Sequence, residues 1–182
     1  MKPLFTIHGG EYLVGSHIEL HFNRVNVWIP SRDKGADLLV SDRHNRRSLS
    51  LQVKSSKDFL VTHMGPEFQK DLRASGWWKI DRDKLRTSPA DFWVLVLLGF
   101  ARQTTDFVIV PTKEFRRRLQ SIHRSPRTIR SYVWVTEREQ CWETRGLVHE
   151  AQLQVANGTY RETRRDFSKW LNNWDPVTRL NK

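Results

Sequence analysis

The chain holds one cysteine (Cys141), two methionines, nine glycines and seven prolines in 182 residues. A lone cysteine excludes an intrachain disulfide and any zinc site built on a cysteine pair. Glycine and proline at this level exclude a collagen-like or Pro/Gly-dominated disordered chain. Long apolar runs are missing as well. The longest, Phe92–Phe100, is about half of what a bilayer crossing needs. The opening residues, MKPLFTIHGGEY, lack the apolar stretch of a secretory signal, so an intracellular, cytoplasmic protein without a membrane partner is expected. Acidic residues are scarce: 20 Asp and Glu face 31 Lys and Arg, for a net charge of +11 and a pI near 10.3. That excess points to a polyanionic partner, nucleic acid ahead of an anionic membrane surface or an acidic protein.

What is present is a core. Eight Trp and nine Phe supply bulk that disordered chains lack, and the length suits one domain over 1–182. No repeat or Ser/Gly/Pro linker divides it. Val14, Ile18, Phe22 and Val25 recur at helical spacing, which predicts an amphipathic helix over 11–25. Short runs at 26–30, 36–41 and 48–55 read as strands, as do 91–99, 106–110 and 132–136. Pro111-Thr112 introduces a helix with Phe115, Leu119 and Ile122 on one face. A closing helix is predicted over 161–173, with Phe167, Leu171 and Trp174 as its stripe and Pro176 as its stop. The order is that of an α/β fold with a mixed sheet.

The segments Gly35-Ala36-Asp37 and Leu51-Gln52-Val53-Lys54 carry the chemistry. Alternation puts Gln52 and Lys54 on one face of a strand and Leu51 and Val53 on the other. A hairpin turning at His44-Asn45 sets Asp37 opposite Gln52, Val40 opposite Leu49 and Asp42 opposite Arg47. Glu11, three residues before Val14 and seven before Ile18, falls on the helix face that meets the sheet. A carboxylate there is costly unless paired, hydrogen-bonded or bound to a metal; a frayed first turn favoured by the helix dipole is the other reading. Asp37 and Glu11 offer hard oxygens suited to Mg²⁺ (or Mn²⁺) with water and phosphate. Lys54 is placed to orient or deprotonate a water, or to stabilise charge developing at phosphorus.

The order Gly-Glu11-Tyr, Gly-Ala-Asp37, Gln52-Val-Lys54, then strand 91–99, strand 106–110 and the helix from Thr112, resembles the PD-(D/E)XK nuclease superfamily, with its restriction-endonuclease-like fold. The resemblance covers about residues 8–122 and leaves 131–176 as a C-terminal strand and helix extension. It implies Asp37 as the metal-binding aspartate, Lys54 as the catalytic lysine and Glu11 as the first-helix glutamate. It also implies Gln52 at a position usually held by Asp or Glu, and the Val53 carbonyl as a further metal ligand. Two departures stand out. Ala36 replaces the proline before Asp37, and Gln52 removes one negative charge from the metal site. The expected activity is metal-dependent endonucleolytic hydrolysis of phosphodiester bonds, with DNA as the substrate the resemblance implies. The alternative is a catalytically silent nucleic-acid-binding module on the same fold. Duplex cutting by a single site would invite a homodimer.

Other features are weighed against ordinary explanations. His17 and His21 have zinc-compatible spacing but no evident third ligand, and are expected at the edge of the apolar face. Lys113, Arg116, Arg117, Arg118, Arg124, Arg127 and Arg130 stand against Glu114 alone. Such a one-signed stripe, with Arg116–Arg118 turned away from Phe115 and Leu119, suits phosphate contact. Trp77-Trp78-Lys79 with Arg82 reads either as a base-stacking platform or as core. Trp28, Trp93 and Trp134 are expected in the core. Ser55 and Ser56 either line the site or simply end a strand.

Overall fold

Leu49, Leu51 and Val53 share an apolar layer with Val14 and Ile18, and this helix-on-strand contact organises the first half of the fold. The computed structural model describes residues 4–31, 35–56, 65–99, 102–124 and 127–181, with side chains from Gly9 onward. Phe100, the end of the longest apolar run, lies outside the described residues. Helix α1 (Leu4–His21) leads into β1 (Val25–Trp28), β2 (Leu38–Asp42) and β3 (Ser48–Ser56). Then follow α2 (Pro66–Gln69), β4 (Leu72–Asp81), α3 (Arg82–Thr87), β5 (Phe92–Gly99), β6 (Thr104–Pro111) and α4 (Thr112–Ile122). The chain continues through β7 (Thr128–Thr136), β8 (Cys141–Glu143), α5 (His149–Asn157) and α6 (Asp175–Thr178), with short 3-10 turns near the end.

Five strands form a mixed sheet in the order β1-β2-β3-β5-β6. β3 and β5 are parallel and the other neighbours antiparallel. A second antiparallel sheet, β4-β7-β8, packs against it. The α/β class with a mixed central sheet is as expected. Helices flank the central sheet as well: α1 covers one face, and α4 covers the other together with β4 and β7. Alternation explains the two layers. Val94, Val96, Phe107 and Ile109 join α1's layer, whereas Trp93, Leu95, Leu97, Val108 and Val110 join the layer shared with the second sheet. A third cluster, with Phe68, Trp134, Trp142 and Val155, fills the far side of the second sheet.

Several elements depart from the periodicity. α1 starts seven residues before Glu11 and ends at His21. Arg24 turns the chain at φ 79°, and Val25 and Val27 then reach the same layer from a strand. The predicted closing helix is absent: residues 163–165 and 168–170 are isolated 3-10 turns. Phe167 packs in the layer between the sheets and Trp174 in the layer under α1, so one helical stripe cannot serve both. Between them Leu171 bridges Val108, Asn172 (φ 50°) caps Phe107 through N–H and Oδ1, and the tail thus covers the β6 edge. Covering an edge strand removes a template for aggregation. α5 has no counterpart in the expectation.

Trp93 and Trp134 are core, as expected, but Trp28 is 49% exposed. It lies on the edge strand β1, on the face turned away from α1, and its indole N–H donates to Ser41 Oγ (3.0 Å). Cys141 is fully buried, and burial holds its thiol well above the ordinary range. Among the described residues no helix is long and apolar enough to cross a membrane.

Candidate functional site

The β2–β3 hairpin has the expected register. Leu38 faces Leu51, Val40 faces Leu49, and the Asp37 N–H donates to the Leu51 carbonyl (2.8 Å). The turn is held by Asp42, whose carboxylate accepts from the backbone N–H groups of Arg46, His44 and Arg47. These donors, Arg46 foremost, draw its pKa down. Asp42 therefore meets Arg47 through backbone rather than through the guanidinium. Asn45 accepts the left-handed turn at φ 57°.

This register delivers Asp37 to Gln52. Asp37 Oδ2 accepts from Gln52 Nε2 and from the Val53 N–H (2.7 Å), and Lys54 Nζ stands 3.8 Å away. Its side chain is only 10% exposed, against 43% for Lys54. Two hydrogen-bond donors and a nearby ammonium on one oxygen leave Oδ1 as the oxygen for any cation. Next to a carboxylate the amide must present its NH₂ end, because two oxygens would repel. The Gln52 oxygen, the end able to ligate a metal, is thus turned away from Asp37. Gln52 acts as Asp37's hydrogen-bond donor.

The Val53 carbonyl is favourably placed. Leu51 O and Val53 N–H both point toward the β2 side, where β2 has already ended. A strand residue's N–H and C=O share one side, so the Val53 carbonyl opens on the edge that Asp37 borders.

Glu11 comes from α1, and Gly10 explains how it arrives. A Cβ at Gly10 would stand 2.9 Å from Ser55 Cβ and 3.3 Å from Val53 Cγ1. Only glycine lets the helix backbone lie this close to β3, and the next side chain is Glu11. Glu11 and Asp37 line one cavity of about 630 Å³ between α1 and the β1–β2 connection, together with Glu19, Ser16 and Ile29. Lys54 reaches Asp37 from the face turned away from α1 and lies 6.0 Å from the Trp93 ring centre. Among the described residues, no three His, Cys, Asp or Glu converge as a metal-binding group. The hard-oxygen groups gathered here are the Glu11 and Asp37 carboxylates and the Val53 carbonyl.

Ser55 and Ser56 divide their roles. Ser55 abuts Gly10. Ser56 Oγ accepts from the Trp77 N–H (2.8 Å) and donates to the Trp77 carbonyl (3.1 Å), which ties β4 to the end of β3. The Trp78 indole N–H donates to the Lys54 carbonyl (3.2 Å). Trp78 is core, whereas Trp77 is 39% exposed.

The basic stripe is divided. Lys113, Arg117, Arg124, Arg127 and Arg130 are exposed and Arg116 is half-buried. Arg116 donates to the Arg86 carbonyl (3.2 Å), and Arg117 pairs with Glu114 (2.9 Å). Arg118 does not face solvent. It is 7% exposed, donates to the carbonyls of Thr163, Arg164 and Asp166, and stacks on Trp170 (4.7 Å) and Phe167 (5.5 Å). Burial lowers its pKa. Arg118 thus anchors the C-terminal segment and is withdrawn from the phosphate-contact set. The spacing carried the signal, since 115, 118, 119 and 122 form one core face. His17 and His21 meet at a tilt with ring centres 4.4 Å apart, and His17 stacks on Trp174 (4.8 Å) and touches Phe107 (4.9 Å). They lie at the edge of the apolar layer as expected.

Comparison of the chain with protein-family models, curated proteins and solved structures returns no match.

Proposed function

We propose that the chain is a metal-dependent nuclease of the PD-(D/E)XK type that hydrolyses phosphodiester bonds, with DNA as its substrate. The observation that carries this reading is the gathering of Gln52, the Val53 N–H and Lys54 on Asp37, at an open strand end beside the cavity that Glu11 also lines. A restriction-endonuclease-like arrangement is part of the same reading. It is supported by α1 lying against the β2–β3 hairpin and by β5, β6 and α4 following in order.

Asp37 and Glu11, with the Val53 carbonyl, are the oxygens that would hold Mg²⁺. Bound there, the ion would supply Lewis-acid polarisation of a phosphoryl oxygen and a lowered pKa for its water. Lys54 orients that water or stabilises charge on the phosphoryl oxygens. Gln52 fixes the Asp37 carboxylate so that one oxygen stays directed to the protein. Lys113, Arg116, Arg117, Arg124, Arg127 and Arg130 supply the salt-sensitive affinity for backbone phosphates.

One observation favours the silent binding module: Asp37 Oδ2 is already served by protein donors, so its charge is partly met without a cation. Incubation of duplex and single-stranded DNA with Mg²⁺ or Mn²⁺ decides between the readings. Cleavage by wild type, lost in Asp37→Ala and Lys54→Ala, supports the nuclease. Binding without cleavage, indifferent to Asp37→Ala and steeply salt-dependent, supports the silent module.

A further inference from the structure

The second sheet exposes a surface that the proposed chemistry does not use. On β4 and β7 the side chains of Trp78, Ile80, Ile129 and Val133 enter the layer between the sheets. The alternating positions therefore face outward. There Trp77 is paired with Tyr132, and Lys79 with Arg130. Trp77 is 39% exposed, and Lys79 and Arg130 are exposed. The Trp77 backbone groups are taken by Ser56 Oγ, which marks the Trp77–Tyr132 pair as the kind in which cross-strand side chains approach most closely. Tyr132 in turn meets Trp134 edge-on at 6.1 Å, and Trp134 meets Phe68 at 5.3 Å. Tyr132, Trp134 and Phe68 thus form an aromatic row, and Trp77 lies across from its Tyr132 end in the strand register.

The two outward cations on these strands are unengaged. Among the described residues neither Lys79 nor Arg130 forms an ion pair. Asp81, the next outward position, caps α3 by accepting from the Asp83 and Lys84 N–H groups. An exposed indole with two unpaired cations is apolar on its ring face and attractive to phosphate, a combination suited to bases on an anionic backbone. A duplex keeps its bases stacked on one another, so only unpaired bases can lie on the indole.

We propose that Trp77, flanked by Lys79 and Arg130, forms a stacking platform for unpaired bases of single-stranded nucleic acid on the outer face of the second sheet, apart from the Asp37–Lys54 site. The proposal rests on the nucleic-acid reading of that site but does not require it to cut. It is tested by fluorescence anisotropy of a labelled oligothymidine and of a duplex of equal length. Both are titrated in EDTA, with circular dichroism to establish that each variant is folded. Trp77→Ala weakens single-strand binding by about 5- to 150-fold and leaves duplex binding little changed, while Trp77→Phe recovers most of the loss. The double substitution Lys79→Ala with Arg130→Ala lowers the slope of log affinity against log salt by about 1.4. Unchanged single-strand affinity in folded Trp77→Ala, or a Trp77→Phe as weak as Trp77→Ala, overturns the platform.

The two readings fail separately. Binding that depends on Trp77 without metal-dependent cleavage sinks the nuclease and leaves the platform. Cleavage with binding indifferent to Trp77 sinks the platform alone. No binding to either nucleic acid sinks both.

Discussion

On the proposed nuclease reading Gln52→Glu supplies a second carboxylate beside Asp37, and its cost can be worked out. Wild-type Gln52 is 7% exposed and donates to Asp37 Oδ2. The substitution removes a hydrogen bond to a charged group, about 1.5–3 kcal/mol. It also sets two carboxylates side by side, where repulsion at about 4 Å and an effective dielectric of about 20 reaches about 4 kcal/mol. Lys54, 3.8 Å from Asp37, offsets part of this. Protonation sets a ceiling: neutralising a Glu of ordinary pKa about 4.3 at pH 7 costs about 3.7 kcal/mol, and the acid can then donate to Asp37. The expected destabilisation without metal is therefore about 2–4 kcal/mol, or roughly 5–15 °C in Tm for a chain of this size.

The new carboxyl has a folded-state pKa raised above its unfolded value. Its penalty is full at high pH and fades as pH falls through the folded pKa. Divalent metal at about 100 times its Kd would return about 2.7 kcal/mol. Urea denaturation at pH 7 and pH 5, in EDTA and in Mg²⁺, measures all three effects. A Gln52→Glu midpoint equal to wild type in EDTA at pH 7 refutes the Gln52–Asp37 contact. An equal Mg²⁺ response in the two proteins refutes the missing-charge account of the metal site.

Further outcomes follow from the same geometry. Arg118→Ala strands three carbonyls and opens a gap over Trp170, so urea denaturation should show a loss of about 3 kcal/mol, while the salt slope of DNA binding stays unchanged. Arg124→Ala and Arg127→Ala should do the reverse, leaving Tm in place and lowering the duplex salt slope by about 0.9 each. Gly10→Ala drives a Cβ against Ser55, and calorimetry should report a cost of about 1–3 kcal/mol together with weaker metal binding as α1 moves outward. Burial, and secondarily His21, lower the pKa of His17. Stability from His17 is therefore complete above its unfolded value of about 6.5 and is lost as pH falls through the folded value. His17→Asn should flatten that acid limb in a pH-stability profile.

The hairpin was legible because two independent constraints coincide there. Val40 and Leu49 must both face α1, and Asn45 takes the left-handed turn beside Asp42, so a single register satisfies both. Once that register is set, Asp37, Gln52 and Lys54 meet without further information. The second sheet was not legible, because β4 mixes Gly76, two tryptophans and alternating charges, and its partner β7 lies more than forty residues away. Local pattern carries no trace of such a pairing. The closing helix failed for a related reason. Phe167, Leu171 and Trp174 repeat at helical spacing, yet they serve layers on opposite faces of β6. α5 escaped because Val148 and Leu153 are exposed and only a few apolar residues are buried. Its readable mark was Asn157-Gly158, with Gly158 capping the helix at φ 81°. Trp28 shows the limit of residue type: on the edge strand its indole stays half in solvent.

The most direct test of the account is the single-turnover cleavage rate of a DNA strand as Mg²⁺ is raised from zero, with wild type beside Asp37→Asn. The account predicts no cleavage in EDTA, a saturable rise for wild type, and a rate at least about 100-fold lower for Asp37→Asn at every concentration. Equal rates for the two proteins, or a wild-type rate indifferent to Mg²⁺, would contradict it.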